Sequence, residues 1–147
     1  MSANPAGDCF IDTNILVYAY DVSAGNKHII AKDLVEQCWK NQNGCLSLQV
    51  LQEFFVSVTR KIAIPLDFRI ARQIISDLTN WRVHAPETGD FLQAIDLQDT
   101  FQLSFWDAMI LRSAVQLGCK QMFSEDLTHR QQFGEVLVTN PFMSEGG

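Results

Sequence analysis

The chain has 147 residues, 47% of them hydrophobic, which fits a single domain; we place it at residues 1–147, with its core over about 8–142. Its 17 acidic and 11 basic residues give a net charge of −6, so it lacks the basic surface of a general nucleic-acid binder. Carboxylates gathered around a cation site would produce the same negative surplus. No apolar run approaches the roughly 20 residues of a membrane span, and the start "MSANPAGD" does not resemble a signal peptide. We therefore expect a cytoplasmic protein without a membrane partner, with loose ends at 1–7 and 143–147.

Short apolar strands alternate with segments of helical periodicity along the chain. The predicted strands are 9–12, 44–48, 81–85, 120–124 and 136–140. Three predicted helices cover residues 14–20, 27–40 and 91–101. Three more begin after a capping residue: one follows Ser47 and runs to about 62, one follows Asp67 and covers about 68–80, and one follows Ser104 and ends at Gly118. This βαβ alternation predicts an α/β fold with a mostly parallel sheet and helices on both faces.

The cysteines and histidines do not form a metal-binding pattern. Cys9, Cys38, Cys45 and Cys119 make neither a CxxC motif nor a zinc-like spacing. Most of them lie in or beside predicted buried strands, where free cysteine packs as a small hydrophobe, so we expect reduced thiols. The three histidines share no short spacing, which argues against a histidine metal site.

An aspartate separates two apolar runs near the N-terminus, in "CFIDTNILVYAYD". Asp12 closes the first predicted strand and precedes an apolar helix. In open parallel sheets, sites lie beyond the carboxyl ends of the strands, near a switch in strand order, which makes Asp12 a candidate site residue. A strand-end aspartate can also be the N-cap of the next helix, a role that Thr13 or Asn14 could fill instead.

Three further acids follow predicted strands or open predicted helices. Glu53 lies in the second turn of its helix, off the centre of the apolar stripe, where an ordinary solvated glutamate would fit as well. Asp107 lies in a first helical turn, where Ser104-x-x-Asp107 resembles a capping box and the helix dipole favours an acid. Asp126 lies two residues past a predicted strand and could equally cap a turn.

Together the four acids suit a hard divalent cation. Mg²⁺ takes oxygen ligands, keeps several waters and is usually bound through one or two carboxylates, so the other acids can orient ligands or water. Without the cation the acids repel one another, and we expect the pKa of at least one to be raised. The matching chemistry is metal-assisted hydrolysis of a phosphodiester, in which the cation activates water and a free carboxylate takes the proton.

Four segments of the chain are "FIDTNILVY", "SLQVLQEFF", "SFWDAMILRSA" and "FSEDL…FGEVLVTNPF". Together they resemble the PIN-domain ribonucleases, specifically the VapC-like toxins of bacterial toxin–antitoxin pairs. The resemblance covers about residues 8–142 and keeps the family's order. It implies a three-layer α/β/α sandwich, RNA cleavage that depends on Mg²⁺ or Mn²⁺, a homodimer and a cognate antitoxin. It places the catalytic and metal-binding roles on Asp12, Glu53, Asp107 and Asp126, with supporting polar roles for Thr13, Asn14 and Ser124.

The segment after the fourth acid departs from the family pattern. Many relatives carry a glycine there, where this chain has Thr128-His129-Arg130, so the acid is kept but the local loop shape does not carry over. Glu125 adjoins Asp126, and the motif favours Asp126 because consecutive residues point in different directions.

Basic residues around Pro65 are candidates for contacts to RNA phosphates, because arginine forks suit phosphate. This stretch comprises Arg60, Lys61, Arg69 and Arg72, with Arg69 and Arg72 foremost. Arg130, beside His129, is a further candidate. A solvated helical hairpin or an ordinary exposed loop would account for these residues equally well. The aromatic residues Phe54, Phe55, Phe105 and Trp106 are expected in the core or in dimer contacts rather than as base-stacking platforms.

Two other functions compete with the ribonuclease. A phosphohydrolase could use Asp12 as its nucleophile, but dehalogenase-like phosphatases need a second aspartate two residues on, where this chain has Asn14. A non-catalytic interaction domain could keep the same fold. Four mutually repelling acids argue against that reading, because a retired site has no reason to keep them.

Overall fold

The structure is a computed structural model that describes residues 7–143. The predicted loose ends fall almost entirely outside these residues. The strands are β1 (Cys9–Ile11), β2 (Gly44–Ser47), β3 (Arg82–His84), β4 (Gln121–Phe123), β5 (Gln132–Phe133) and β6 (Val136–Thr139). The helices are α1 (Thr13–Tyr20), α2 (Asn26–Asn41), α3 (Leu48–Val56), α4 (Phe68–Leu78), α5 (Thr88–Phe101) and α6 (Phe105–Gln116). A 3₁₀ turn at Val22–Ala24 and a π-helical turn at Ser57–Lys61 complete the described elements.

The strands form one sheet in the order β3-β2-β1-β4-β6-β5, parallel except for β5, which runs antiparallel to β6. The chain steps from β1 to β2 to β3, then crosses back to β4 on the other side of β1. Since crossovers are right-handed, the reversal places α5 and α6 on the face opposite α1–α4. In agreement, α1 packs against α2 and α3, while α5 packs against α6. The predicted three-layer α/β/α sandwich is confirmed.

Local capping chemistry sets most helix starts where the sequence predicts them. The side chain of Ser47 accepts from the N–H of Val50, that of Asp67 from Arg69, and that of Ser104 from Asp107. Helix α5 starts at Thr88 rather than at 91, because Glu87 and Asp90 form a reciprocal capping box.

Two other differences from the predicted elements concern β5 and α3. The sequence does not predict β5, because two residues are too few to show alternation. The helix predicted to run to about 62 leaves α geometry at Ser57 and continues as a π turn. The short strand β5 and the π turn each change where the neighbouring side chains lie.

The core lies on both sides of the central strands, as expected for a covered parallel sheet. Phe10, Ile11, Leu46, Met122 and Val138 are fully buried. All four cysteines are buried and free of disulfides, as expected for cysteines that pack as small hydrophobes. Among residues 7–143, no helix is long and apolar enough to span a membrane.

Gly44 begins β2 directly against the indole of Trp81. A Cβ at this position would lie 2.4 Å from the nearest ring carbon, and the ring is itself held edge-on by Trp39 at a centroid distance of 5.4 Å. We predict that Gly44→Ala lowers the free energy of unfolding by about 1–3 kcal/mol through overpacking, as measured by urea denaturation. Gly89→Ala is the control, because a Cβ there meets nothing within 4 Å. Equal stability of the two variants would contradict the prediction.

Candidate active site

The carboxyl ends of β1 and β4 meet at the point where the strand order reverses, and Asp12 and Ser124 directly follow these two strands. The backbone N–H of Asp12 donates to the carbonyl of Phe123 at 3.0 Å, which extends the strand pairing to the first residue of the candidate site. Because open α/β sheets bind ligands in the crevice at this reversal, this end of the sheet is where a site is expected.

The carboxylate of Asp12 is buried, with 3% of the residue exposed. One oxygen, Oδ1, accepts from the backbone N–H of Thr13 at 2.7 Å, and Oδ2 accepts from the hydroxyl of Ser124 at 2.7 Å. Asp12 is thus the N-cap of α1 as well as a residue of the site. The Ser124 hydroxyl also accepts from the N–H groups of Asp126 and Leu127 at 3.2 and 3.3 Å. Ser124 therefore links the first acid to the loop that carries the fourth.

Burial raises the pKa of Asp12 from 3.8 to about 7, even though the hydrogen bonds from Ser124 and Thr13 act to lower it. The negative charges of Asp126 and Asp107 raise it further. The pKa of Asp126 is also raised, first by burial and then by the charges of Asp107 and Glu125. Excess negative charge at this end of the sheet therefore favours a cation.

Glu53 is connected to two neighbouring helices. The hydroxyl of Thr13 donates to Oε1 of Glu53 at 2.6 Å, and the amide of Gln49 donates to Oε2 at 3.2 Å. The same Gln49 amide lies 3.3 Å from the carbonyl oxygen of Trp106, at the start of α6. Hydrogen bonds therefore fix the position of the Glu53 carboxylate, which is not freely solvated.

Asp126 and its neighbour Glu125 point in different directions. The side-chain amide of Asn14 donates to both carboxylate oxygens of Asp126, at 3.3 and 3.2 Å. Glu125 instead accepts from the hydroxyl of Tyr18 at 2.8 Å and pairs with Lys27. Only Asp126 of the two lines the cleft at this end of the sheet.

Asp107 combines a capping role with a place in the cleft. Its backbone N–H donates to the side chain of Ser104 at 3.1 Å, so the cap uses the serine hydroxyl. Within residues 7–143 the Asp107 carboxylate accepts no hydrogen bond, and it lines the cleft. The capping pattern and a position in the site are therefore compatible here.

The structure brings all four acids to a single cleft of about 470 Å³. Thr13 and Asn14 share it, while Ser124 lies buried beneath Asp12. The other lining residues are Gln52, Val56, Ser57, Lys61, Trp106 and Ile110. Trp106 does not lie in the core, because it is 62% exposed and lines the cleft. The alternative expectation for Trp106, a dimer contact, stays a prediction, whereas Phe54 is fully buried as expected.

The arginines singled out as RNA contacts lie apart from the cleft. Arg69 and Arg72 are exposed on α4, and neither lines the cleft. Arg130 has a left-handed backbone with φ of 68°, and its N–H donates to the carbonyl of Val138 at 2.8 Å. Their proposed contacts with RNA remain predictions. Lys61 from the same basic stretch does line the cleft.

The donor set of the cleft fits a hydrated hard cation. It consists of carboxylate oxygens together with the oxygen of Asn14, and such ligands suit Mg²⁺ or Mn²⁺. Within residues 7–143, no three His, Cys, Asp or Glu side chains converge closely enough to hold a metal ion by themselves. Mg²⁺ needs only one or two direct carboxylates and keeps its waters. The observation that favours a cation here is the convergence of four carboxylates on one cleft, of which Asp12 is buried and Asp107 accepts no hydrogen bond within residues 7–143.

The chain matches a family of known fold. The family model described as "PIN domain" matches residues 9–132, and the chain belongs to this family. No curated protein sequence matches the chain significantly.

Solved structures of toxin–antitoxin proteins share the fold. A toxin–antitoxin complex from Klebsiella pneumoniae has a TM-score of 0.66 at 19% identity, covering 92% of this chain and 98% of that one. A VapC toxin of Mycobacterium tuberculosis that cleaves the sarcin–ricin loop has a TM-score of 0.63 at 21% identity, covering 81% and 90%. The VapBC complex of Rickettsia felis, bound to a DNA fragment from its promoter, has a TM-score of 0.61 at 14% identity, covering 88% and 96%.

The raised pKa of Asp12 predicts a pH-dependent stability of the metal-free protein. A carboxyl whose pKa is higher in the folded state holds its proton more tightly there, so its contribution is full below pH 3.8 and is lost as the pH rises through about 7. The free energy of unfolding, measured by urea denaturation in EDTA, should therefore fall across this range, with Asp12 contributing on the order of 4 kcal/mol.

Asp12→Asn removes this titration and should make the pH dependence distinctly shallower. Asp96→Asn, at an exposed acid on α5 outside the cleft, is the matched control and should keep the dependence of the unsubstituted protein. A slope that Asp12→Asn leaves unchanged would mean that Asp12 ionises normally.

Proposed function

We propose that this protein is an endoribonuclease that uses Mg²⁺ or Mn²⁺ to hydrolyse RNA phosphodiester bonds, and that it is the toxin of a toxin–antitoxin pair. The observation that carries the proposal is the convergence of four acids, from four separate segments of the chain, on one cleft that has the buried carboxylate of Asp12 in its floor. Membership of the PIN family and the likeness to toxin structures support the same activity.

The residues divide naturally into roles. Asp12, Glu53, Asp107 and Asp126 would hold the cation, either directly or through its waters, because Mg²⁺ uses few direct carboxylates. The bound cation supplies an activated water and neutralises charge on the phosphate. Asp126, with its raised pKa and its position fixed by Asn14, is suited to accept the proton of the attacking water at a carboxylate oxygen.

The same geometry weighs against the phosphohydrolase. A second acid two residues after Asp12 would be required, but Asn14 occupies that position and donates hydrogen bonds to Asp126. The non-catalytic interaction domain remains the competing reading, and the cleavage experiment separates the two.

We predict that the purified protein, freed of any partner, cuts a mixture of transfer and ribosomal RNA into discrete fragments with Mg²⁺ or Mn²⁺ and not with EDTA. Asp12→Asn and Asp107→Asn should each slow cleavage at least about hundredfold, because each removes a charge that holds the cation. Fragment gels with end mapping give the rate and the position of the cut.

Asp96→Asn is again the matched control, since it makes the same change of charge outside the cleft. Fragments that form in EDTA, or that persist unchanged with Asp12→Asn, would refute the proposed mechanism. If no RNA in the mixture is cut, the absence of Mn²⁺ binding in calorimetry would favour the interaction domain, whereas Mn²⁺ binding without cleavage would mean that the protein cuts a narrower set of RNAs.

We also propose an antitoxin partner, because two of the similar structures are described as toxin–antitoxin proteins. We propose a homodimer because large apolar side chains stand exposed on several helices and would suit such a contact. They include Phe68 and Ile70 on α4, Leu92 on α5 and Trp106 on α6.

Light scattering of the isolated protein should give about twice the chain mass of 16.6 kDa. Leu92→Glu should shift this mass towards that of the monomer, because a charge buried at an apolar interface is costly. A monomeric mass for the unsubstituted protein at high concentration would exclude the homodimer.

A further inference from the structure

One wall of the cleft is formed by α3 and the π turn. Among the described residues, this wall contains one positively charged side chain. Gln52, Glu53, Val56, Ser57 and Lys61 line this wall, and Lys61 is the only lysine or arginine among the cleft residues. All the acids of the cleft lie on the floor or on the other walls apart from Glu53. Lys61 therefore adds a positive charge at the rim of a negative site.

The π turn is what places Lys61 on this wall. At about 100° per residue, an unbroken α-helix would rotate Lys61 about 80° away from Glu53. Instead, the N–H of Ile62 donates to the carbonyl of Ser57 at 3.2 Å, a bond that spans five residues. This wider turn rotates less per residue, so Lys61 returns to the face of the helix that carries Glu53. Single π turns of this kind are frequent at functional sites.

Lys61 forms no ion pair within residues 7–143. By contrast Lys27, Arg82, Arg112 and Lys120 each pair with an acid. A lysine that lines an acidic cleft without pairing keeps its ammonium available for an anion from outside. Lysine binds phosphate as a compact point charge on a flexible stem. Such a side chain suits the phosphate backbone of RNA, whose position varies from one RNA to another.

We infer that Lys61 binds a phosphate of the RNA backbone beside the bond that is cut, and so positions the substrate over the acids. This inference rests on the proposed ribonuclease function. It assigns the nearest phosphate contact to Lys61 rather than to Arg69, Arg72 or Arg130, which lie outside the cleft. One ammonium at the rim attracts the RNA strand, while the acids beneath it hold the cation.

The test uses the full chain and a short fluorescent single-stranded RNA with phosphorothioate linkages, which keep the negative charge but resist hydrolysis. Lys61→Met should weaken binding about tenfold, as expected for loss of a hydrogen bond to a charged group. The substitution should also reduce the slope of the logarithm of the binding constant against the logarithm of the salt concentration by about 0.7, the value for one phosphate on a single strand. Lys61→Arg should restore most of the binding.

Lys40→Met is the matched control. Lys40 is exposed near the end of α2, just before β2 begins, so it lies at the opposite end of the parallel strands. Within residues 7–143 it forms no ion pair, and its loss should change RNA binding less than about twofold because salt screens distant charges. Calorimetry with Mn²⁺ should give the same metal affinity for both variants and the unsubstituted protein.

The outcomes separate this inference from the function on which it rests. If the unsubstituted protein cleaves RNA and Lys61→Met binds the probe as Lys40→Met does, the assignment of Lys61 is wrong and the ribonuclease stands. A loss of Mn²⁺ affinity in Lys61→Met equal to its loss of RNA affinity would likewise overturn it. If the unsubstituted protein neither binds nor cleaves RNA, the proposed function fails and the assignment falls with it.

Discussion

The burial of one carboxylate at the end of the central strand is the constraint on which the site depends. Strand β1 lies between β2 and β4 and is covered on both faces, so the residue that follows it emerges in an apolar environment. An ionised group there is costly. Two hydrogen bonds, from the backbone of Thr13 and the hydroxyl of Ser124, offset part of this cost. A bound cation would offset more, which makes the position both unfavourable for stability and suited to catalysis.

The first turn of α1 organises the rest of the acids around this carboxylate. Three consecutive residues each contact a different side chain: Asp12 contacts Ser124, Thr13 contacts Glu53, and Asn14 contacts Asp126. Two of the other acids are therefore positioned by the same helix start. Because a helix start that is capped and packed against the sheet is rigid, the spacing of the acids is set before any ligand binds. The pairing of Glu125 with Lys27 and Tyr18 keeps a fifth acid out of the cleft.

Much of the fold and the candidate site followed from local sequence. The parallel strands, the caps at Ser47, Asp67 and Ser104, and the positions of the acids at strand ends and helix starts could be inferred from patterns of a few residues. Other features could not. Trp106 reads as an apolar residue in an apolar segment, yet it lines the cleft because the start of α6 faces solvent there. Arg69 and Arg72 read as a basic patch, yet both are exposed on α4 and neither lines the cleft.

The sequence by itself determined that the acids lie at strand ends and helix starts, because strand periodicity and capping preferences act over a few residues. Only the tertiary structure decided which of these residues meet. The order of the strands brings β1 beside β4, and with them Asp12 beside Ser124, across 112 positions of the chain. The π turn similarly decides that Lys61 shares a wall with Glu53, since the change in helical pitch depends on how the segment packs rather than on any periodicity in its residues.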